Sequence, residues 1–231
     1  MDPIGKAILD FAKFKKPQDI YVDSPFCDTD IIPVEVLFRT YEEMPEIEKK
    51  ALQLCKGNIL DVGAGAGVHS SFLKNKGFFV DSIDTSEGAV DYMKSVGLNA
   101  KKIDFFDLQN EKYDTILMLM NGLGISGTLS HLEFTLNHAK NLLNENGQII
   151  CDSSDVHYLY EEEDGSYWEN LNNNYYGDFQ FTMTYKKEKS SPFSWLYVDF
   201  SNLFKTAKKL NLNCNLIIEN DNHYLAVIEK K

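Results

Sequence analysis

The sequence predicts an α/β fold: a doubly wound, seven-stranded, mostly parallel sheet with an antiparallel last strand, N-terminal helices and an inserted β-hairpin. The first observation is that, between residues 58 and 152, short apolar strands alternate with helices of about ten residues, as in βαβ units. The second is that strands such as Thr115–Met120 are apolar on both faces, which fits a sheet covered by helices on each side. The 231 residues, 43% of them hydrophobic, suffice for one such domain with an insertion.

The first 57 residues predict a helical cap. Asp2 followed by Pro3 is typical of a helix N-terminus, and Pro17 closes this first helix. Residues 18–33 are acidic and contain prolines, so we expect them to be irregular. Two further helices are predicted, over Val34–Thr40 and from Pro45 to Gly57.

Residues 58–154 predict the core of the sheet. The strands in chain order are Asn58–Val62, Phe78–Ile83, Ala100–Ile103, Thr115–Met120 and Gln148–Asp152. The helices between them are Val68–Lys76, a helix from Ser86 to Val96, and Leu129–Leu143. Residues 199–231 then predict a helix, Phe200–Leu210, and two strands, Cys214–Ile218 and Tyr224–Ile228. The tight connection between these last two strands makes them antiparallel.

Residues 155–198 interrupt this pattern with an acidic and aromatic insertion. Phe179–Tyr185 alternates apolar and polar residues and predicts one strand of a hairpin, with Trp195–Val198 as its partner. We expect the insertion to be a lid or an acceptor site, because aromatic rings can enclose a cationic or planar molecule. The same rings would equally suit a core under the hairpin or a dimer interface.

Charge and composition exclude several classes of protein. The net charge of −12, from 23 basic and 35 acidic residues, argues against binding to nucleic acid or to anionic membranes. No apolar run reaches the length of a membrane span, and the N-terminus lacks the features of a signal peptide. The four cysteines form no CxxC pair, so no metal site is predicted and a reducing cytoplasm is the expected compartment.

The sharpest motif is the glycine-rich turn from Asp61 to Gly67, DVGAGAG, which joins a predicted strand to a predicted helix. Residues with little or no side chain let the backbone bend sharply and touch a ligand, and the next helix offers free N–H groups. Dinucleotide-binding proteins have G-x-G-x-x-G, but Val68 occupies the place of their third glycine. No GK[ST] follows, which excludes a Walker A loop.

This G-x-G-x-G turn with its preceding acid resembles the first motif of class I S-adenosylmethionine-dependent methyltransferases. The resemblance covers about residues 58 to 152 and continues at the ends of the next strands. It implies that Asp84 binds the ribose hydroxyls, and that Asp104 and Phe105 contact the adenine amine and ring. Asn121 follows the fourth strand, at the sheet edge where open α/β folds bind ligands.

The single arginine, Arg39, lies in the N-terminal segment that folds over the methionine end of the cofactor in many class I enzymes. A guanidinium suits a carboxylate, so Arg39 is a candidate clamp for that group, and a surface or helix-capping arginine is the alternative. His69 follows the glycines and is a further candidate contact, whereas His223 is assigned to the terminal turn. The predicted cofactor-binding residues are Asp61, Gly63, Ala64, Gly65, Gly67, Asp84, Asp104, Phe105, Asn121 and Arg39.

The resemblance implies a single methyltransferase domain over residues 1–231, which passes the sulfonium methyl of S-adenosylmethionine to a nucleophile by in-line displacement. A small-molecule acceptor is favoured over a protein. The sequence identifies no catalytic residue, and the candidates at the sheet edge are Asp152, Asp155, His157 and Tyr158. The alternatives are a non-catalytic regulator that binds S-adenosylmethionine and an NAD-type oxidoreductase.

Overall fold

Two β-sheets, one of seven strands and one of five, organise the chain in the computed structural model. The structure describes residues 1–16, 18–160 and 175–230. The helices are α1 (Pro3–Phe14), α2 (Glu46–Leu54), α3 (Val68–Asn75), α4 (Glu87–Ser95), α5 (Leu132–Leu142) and α6 (Phe200–Lys209). The strands are β1 (Asp19–Asp23), β2 (Asp30–Pro33), β3 (Asn58–Val62), β4 (Phe79–Asp84), β5 (Asn99–Lys102), β6 (Tyr113–Met118), β7 (Leu143–Ser154), β8 (Asp178–Tyr185), β9 (Glu188–Lys189), β10 (Phe193–Leu196), β11 (Leu212–Asn220) and β12 (His223–Lys230).

The seven-stranded sheet has the order β11-β12-β7-β6-β3-β4-β5. Strands β3 to β7 are parallel, and β12 runs antiparallel between β7 and β11. The predicted doubly wound sheet with an antiparallel last strand is therefore confirmed. We call the edge where β3, β4, β6 and β7 end and β12 begins the carboxyl edge.

The central strand β6 shows how helices cover both faces of this sheet. Ile116 and Met118 share one buried core with Leu136 of α5. Leu117 points to the opposite face and shares a second core with Leu52 of α2. Complete burial of such a side chain stabilises the fold by about 1.5–3 kcal/mol, so strands that are apolar on both faces hold the sheet between two helical layers. None of the described helices is both long and apolar enough to cross a membrane.

The second sheet corrects the prediction that residues 18–33 are irregular. They contain β1 and β2, which pair with each other, and β1 also pairs with β8 through Val22 and Met183. Strand β10 pairs with the other side of β8, as the predicted hairpin requires, and the short β9 also pairs with β8. Ile20 and Val22 are buried while their neighbours are largely exposed, so β1 is a strand with one buried face. The predicted helix Val34–Thr40 is a 3-10 turn over Val34–Phe38.

Helix α1 is fixed to the element that follows β4. The Asp2 carboxylate accepts hydrogen bonds from Gly5 N at 2.8 Å, Ser86 Oγ at 2.8 Å and Gly88 N at 3.1 Å. A Cβ on Gly88 would lie 2.7 Å from the backbone of Gly5, so the two helices approach each other at their bare backbones. The N-terminal helix therefore lies beside the carboxyl edge.

Candidate active site

The glycine-rich turn forms the centre of the carboxyl edge. Gly63, Gly65 and Gly67 have φ angles of +67°, +56° and +76°, a region that side chains other than glycine rarely adopt. A Cβ built at Gly63 or Gly65 meets nothing within 4 Å among the described residues beyond its chain neighbours. A Cβ at Gly67 would lie 2.5 Å from Leu98 Cδ1. The first two glycines therefore face open space, and the third permits close packing of the turn on the protein.

Asp84, at the end of β4, holds the turn in place. Its Oδ2 accepts a hydrogen bond from Gly65 N at 2.9 Å, and its Oδ1 accepts one from Ser86 N at 2.8 Å. Burial raises the pKa of Asp84, and these two hydrogen bonds oppose the shift. Each carboxylate oxygen has a second lone pair, so Asp84 can still accept hydrogen bonds from a ligand beside Gly65.

Asp61 lies behind the turn, where it is 2% exposed. Its carboxylate accepts a hydrogen bond from Ser70 Oγ at 2.6 Å, and that hydroxyl lies 2.7 Å from Ser82 Oγ. Burial raises the pKa of Asp61, while the charge of His69 and the bond from Ser70 lower it. This network links β3, β4 and α3, and so stabilises the glycine-rich turn that connects β3 to α3.

Asp104 and Phe105 follow β5. Asp104 is exposed, and its Oδ1 accepts a hydrogen bond from Phe106 N at 2.9 Å. Phe105 is 4% exposed and belongs to the main core, with its ring 4.9 Å from that of His138. The carboxylate is accessible to a ligand, and contact of either residue with adenine stays a prediction.

Asn121 follows β6 in a strained part of the backbone. Met120 and Asn121 have φ angles of +63° and +56°, a left-handed conformation that Asn tolerates better than most residues. Asn121 Oδ1 accepts a hydrogen bond from Ser154 Oγ, at the end of β7, at 2.9 Å. The structure thus brings a residue that follows β6 and the last residue of β7 together at the carboxyl edge.

Arg39 lies in a buried cluster that the sequence does not reveal. Its Nη2 lies 2.5 Å from both carboxylate oxygens of Glu48, and its Nη1 donates to the carbonyl of Val36. Glu48 Oε2 is 2.8 Å from His69 Nε2. Burial would raise the pKa of Glu48, but the hydrogen bonds and charges of His69 and Arg39 bring it below its ordinary value. Arg39 Nε is buried without a hydrogen-bond partner among the described residues.

A second acid–histidine pair joins β7 to β12. Asp152 is fully buried, and its Oδ2 lies 2.8 Å from Nε2 of His223. Its Oδ1 accepts a long hydrogen bond of 3.4 Å from Gly122 N. Asp152 is one of the predicted edge candidates, whereas the sequence places His223 only in a turn. His223 reaches the carboxylate of Asp152 because β12 lies beside β7 in the sheet.

The other edge candidates lie just beyond β7. Asp155 Oδ1 accepts hydrogen bonds from His157 N at 3.0 Å and from Tyr176 OH at 2.8 Å. The His157 ring is 5.0 Å from the Tyr176 ring, and Tyr158 is 51% exposed. The aromatic run from Tyr160 to Tyr176 includes residues 161–174, which lie outside the described residues.

Comparison with known proteins decides the family. No protein-family model and no curated protein sequence matches the chain. Among solved structures, it is similar to an S-adenosylmethionine-dependent methyltransferase from Bacteroides fragilis in complex with S-adenosyl-L-homocysteine. The two share 42% sequence identity over 98% of this chain and 94% of that one, with a TM-score of 0.91. The chain belongs to the S-adenosylmethionine-dependent methyltransferases.

More distant structures share the fold of this methyltransferase. One is a methyltransferase from Clostridium acetobutylicum, 14% identical over 82% of this chain and 93% of that one, with a TM-score of 0.60. Another is the CcbJ methyltransferase from Streptomyces caelestis, 16% identical over 82% of this chain and 94% of that one, with a TM-score of 0.61.

Two features of this methyltransferase fit the ligand of its family. The open space in front of Gly63 and Gly65 allows a ligand to approach the main chain, which a side chain at either position would obstruct. The carboxylate of Asp84 lies beside that space, because it accepts a hydrogen bond from Gly65 N. Two carboxylate oxygens match the two hydroxyls of a ribose, so the site suits an adenosyl compound.

Proposed function

We propose that this methyltransferase binds S-adenosylmethionine at the carboxyl edge, against the glycine-rich turn, and methylates a small molecule. The observation that carries the proposal is the open space in front of Gly63 and Gly65, beside the carboxylate of Asp84. The proposed binding residues are Asp61, Gly63, Ala64, Gly65, Gly67, Asp84, Asp104, Phe105, Asn121 and Arg39.

Each part of the ligand has a proposed partner. Asp84 accepts hydrogen bonds from the ribose hydroxyls, while Asp104 and Phe105 serve the adenine. Arg39 is assigned to the methionine carboxylate, although its side chain is only 8% exposed and Glu48 occupies its Nη2. Asp61 acts through the turn that it supports.

When bound, S-adenosylmethionine supplies an electrophilic methyl group on a positively charged sulfur. The protein then has mainly to hold an acceptor in line with that group, and such alignment can lower a barrier by about 7–11 kcal/mol. The second sheet adjoins the carboxyl edge through Val156, which follows β7 and packs with Phe179 of β8. We assign this side to the acceptor.

We assign a separate function to each of four segments of one domain. The proposed division is a cap over residues 1–57, a cofactor-binding core over 58–154, an inserted hairpin or lid over 155–198, and a C-terminal helix and strand pair over 199–231. The net charge of −12 favours a small acceptor over nucleic acid. The four free cysteines fit action in the reducing cytoplasm.

Calorimetry followed by turnover tests this function. We expect S-adenosylmethionine and S-adenosylhomocysteine to bind and NAD not to bind, because Val68 breaks the dinucleotide spacing. A mixture of metabolites with a methyl-labelled donor should then yield a labelled small molecule. Binding of NAD in place of S-adenosylhomocysteine would identify an oxidoreductase. Binding of the donor without label transfer to small molecules would point to a regulator or to a protein acceptor.

A further inference from the structure

We propose that His223, oriented by the buried carboxylate of Asp152, is the general base that removes a proton from the methyl acceptor. The acceptor atom would accordingly be a heteroatom that carries a proton at neutral pH, in a hydroxyl or an ammonium group. This inference rests on the proposed function, because it names the chemistry of the acceptor at the same site.

The position of His223 supports this role. It begins β12 and pairs in register with Ser154, the last residue of β7. Ser154 Oγ donates a hydrogen bond to Asn121, one of the proposed binding residues. Gly122, which follows Asn121, donates to the same carboxylate that binds His223. The imidazole therefore stands among the ends of β6 and β7, at the carboxyl edge where the proposed ligand binds.

The arrangement of His223 and Asp152 is also that of a general base whose ring is oriented by a carboxylate. Because Nε2 of His223 lies 2.8 Å from Asp152 Oδ2, the Nε2–H donates to the carboxylate, and Nδ1 carries the lone pair of the neutral ring. No described residue forms a hydrogen bond with Nδ1. Asp152 is fully buried, so its charge acts on the ring with little screening.

A comparison within the chain separates this pair from a structural one. His69 is the other carboxylate-paired histidine of the described residues, and its side chain is only 6% exposed. The side chain of His223 is 36% exposed, although its partner Asp152 is only 1% exposed. The pair of His69 and Glu48 is therefore closed to solvent and to ligands, whereas the ring of His223 is accessible to both.

The charges around the ring favour its function as a base. The hydrogen bond to Asp152 raises the pKa of His223, partial burial opposes the shift, and the charges of Asp152 and Glu48 add to it. Glu48, on α2, is itself paired with Arg39 and His69. A higher pKa makes the neutral ring a stronger base and stabilises the imidazolium that forms.

The proton transfer completes a balanced reaction. A lone pair of the acceptor heteroatom forms the bond to the methyl carbon, and the electron pair of the broken C–S bond stays on sulfur. The proton that the heteroatom loses passes to Nδ1 of His223. A hydroxyl loses it as the new bond forms, whereas an ammonium group loses it beforehand, because its nitrogen has no lone pair until then. The imidazolium, held by the Asp152 carboxylate, then releases the proton to solvent.

An NMR titration tests the pair before any acceptor is known. The full-length protein with labelled histidine and bound S-adenosylhomocysteine is titrated as wild type, Asp152→Asn and His131→Gln, the last an exposed control on a different element. We expect His223 to titrate above its ordinary value of about 6.5 and to fall by about one unit or more in Asp152→Asn only. Titration at or below that value, or no response to Asp152→Asn, would overturn the proposal.

Turnover tests the role in catalysis. Methyl-labelled S-adenosylmethionine is supplied with a panel of alcohols, phenols, amines, thiols and carbon acids. We expect label on hydroxyl or amine compounds, and a kcat that rises with pH through the titration of His223. His223→Gln should lower kcat by about 10²–10⁴-fold, with S-adenosylhomocysteine affinity unchanged.

Each contrary result has a separate meaning. Label only on thiols or carbon acids, or a kcat for His223→Gln close to that of the wild type and His131→Gln, would overturn the role of His223. Failure of the wild type to bind S-adenosylhomocysteine would instead reject the proposed function itself.

Discussion

Nη2 of Arg39 lies 2.5 Å from both carboxylate oxygens of Glu48, and the two side chains are only 8% and 7% exposed. His69, on the helix after the glycine-rich turn, binds the same carboxylate. Arg39 before α2, Glu48 on α2 and His69 on α3 therefore share one buried charge cluster, in which Glu48 is the central residue.

Removal of Glu48 should destabilise the fold strongly. Glu48→Ala leaves the guanidinium of Arg39 buried without its counter-ion, and we expect the free energy of unfolding to fall by about 3–5 kcal/mol in urea denaturation. Glu46→Ala, at an exposed position on the same helix, should change it by less than about 0.5 kcal/mol. Equal losses in the two variants would show that the cluster contributes no specific stability.

A side chain at Gly65 should block the ligand without disrupting the protein. Gly65 and Gly77 both have positive φ, at +56° and +92°, and a Cβ at either meets no atom of the described residues within 4 Å beyond its chain neighbours. A leucine at either position should cost about 1–2 kcal/mol of backbone strain. In calorimetry, Gly65→Leu should lose S-adenosylhomocysteine binding, whereas Gly77→Leu, after α3, should retain it. Retained binding in Gly65→Leu would contradict the assigned position of the ligand.

Gly67 should differ from Gly63 in its effect on stability. Both variants to alanine meet strain at positive φ, but only a Cβ at Gly67 approaches Leu98 Cδ1 to 2.5 Å and Met93 Cγ to 2.9 Å. Such overpacking costs about 1–3 kcal/mol, so Gly67→Ala should unfold at a lower urea concentration than Gly63→Ala. Identical midpoints would mean that the neighbouring side chains move aside freely.

The carboxylate of Asp84 should contribute to ligand affinity. Its loss in Asp84→Ala removes charge-assisted hydrogen bonds, and we expect S-adenosylhomocysteine binding to weaken by about 1.5–3 kcal/mol in calorimetry. Asp91→Ala provides the control, because Asp91 is an exposed acid on the helix that follows. If Asp84→Ala bound as tightly as Asp91→Ala, the ribose assignment would be wrong.

The pair of Asp152 and His223 should give the fold a pH-dependent stability. The pKa of His223 is raised by its bond to Asp152, so the stabilisation is complete below the unfolded value of about 6.5. It is lost as the pH rises through the folded pKa, because the folded state then releases the extra proton. The wild type should exceed His223→Gln in unfolding free energy more at about pH 6 than at about pH 9. A difference that is independent of pH would contradict this linkage.

Local patterns predicted the seven-stranded sheet well, because apolar runs, glycines and helix caps mark its elements within short windows. The strand β1 escaped prediction because only Ile20 and Val22 mark it, among acidic neighbours, and its partner β8 lies near the other end of the chain. Pairings of that kind are set by packing, which sequence periodicity does not report.

The candidate site divides in the same way. The glycine-rich turn and Asp84 follow strands directly, so their position at one edge could be predicted from the order of the elements. Glu48 and His223 could not, since their partners Arg39, His69 and Asp152 belong to other elements. Glu48 has the sequence context of an ordinary amphipathic helix, and no spacing rule connects it to either partner.

The pairing of β1 with β8 also sets an order of assembly. During synthesis, the strands β3 to β7 can pair before β1 does. Val22 of β1 pairs with Met183, so β1 remains without this partner until Met183 has left the ribosome. Contacts between distant parts of a chain form slowly, because the loop between them must first be closed. The second sheet therefore forms after the core of the seven-stranded sheet, and a nascent chain can hold the glycine-rich turn before β1 has its partner strand.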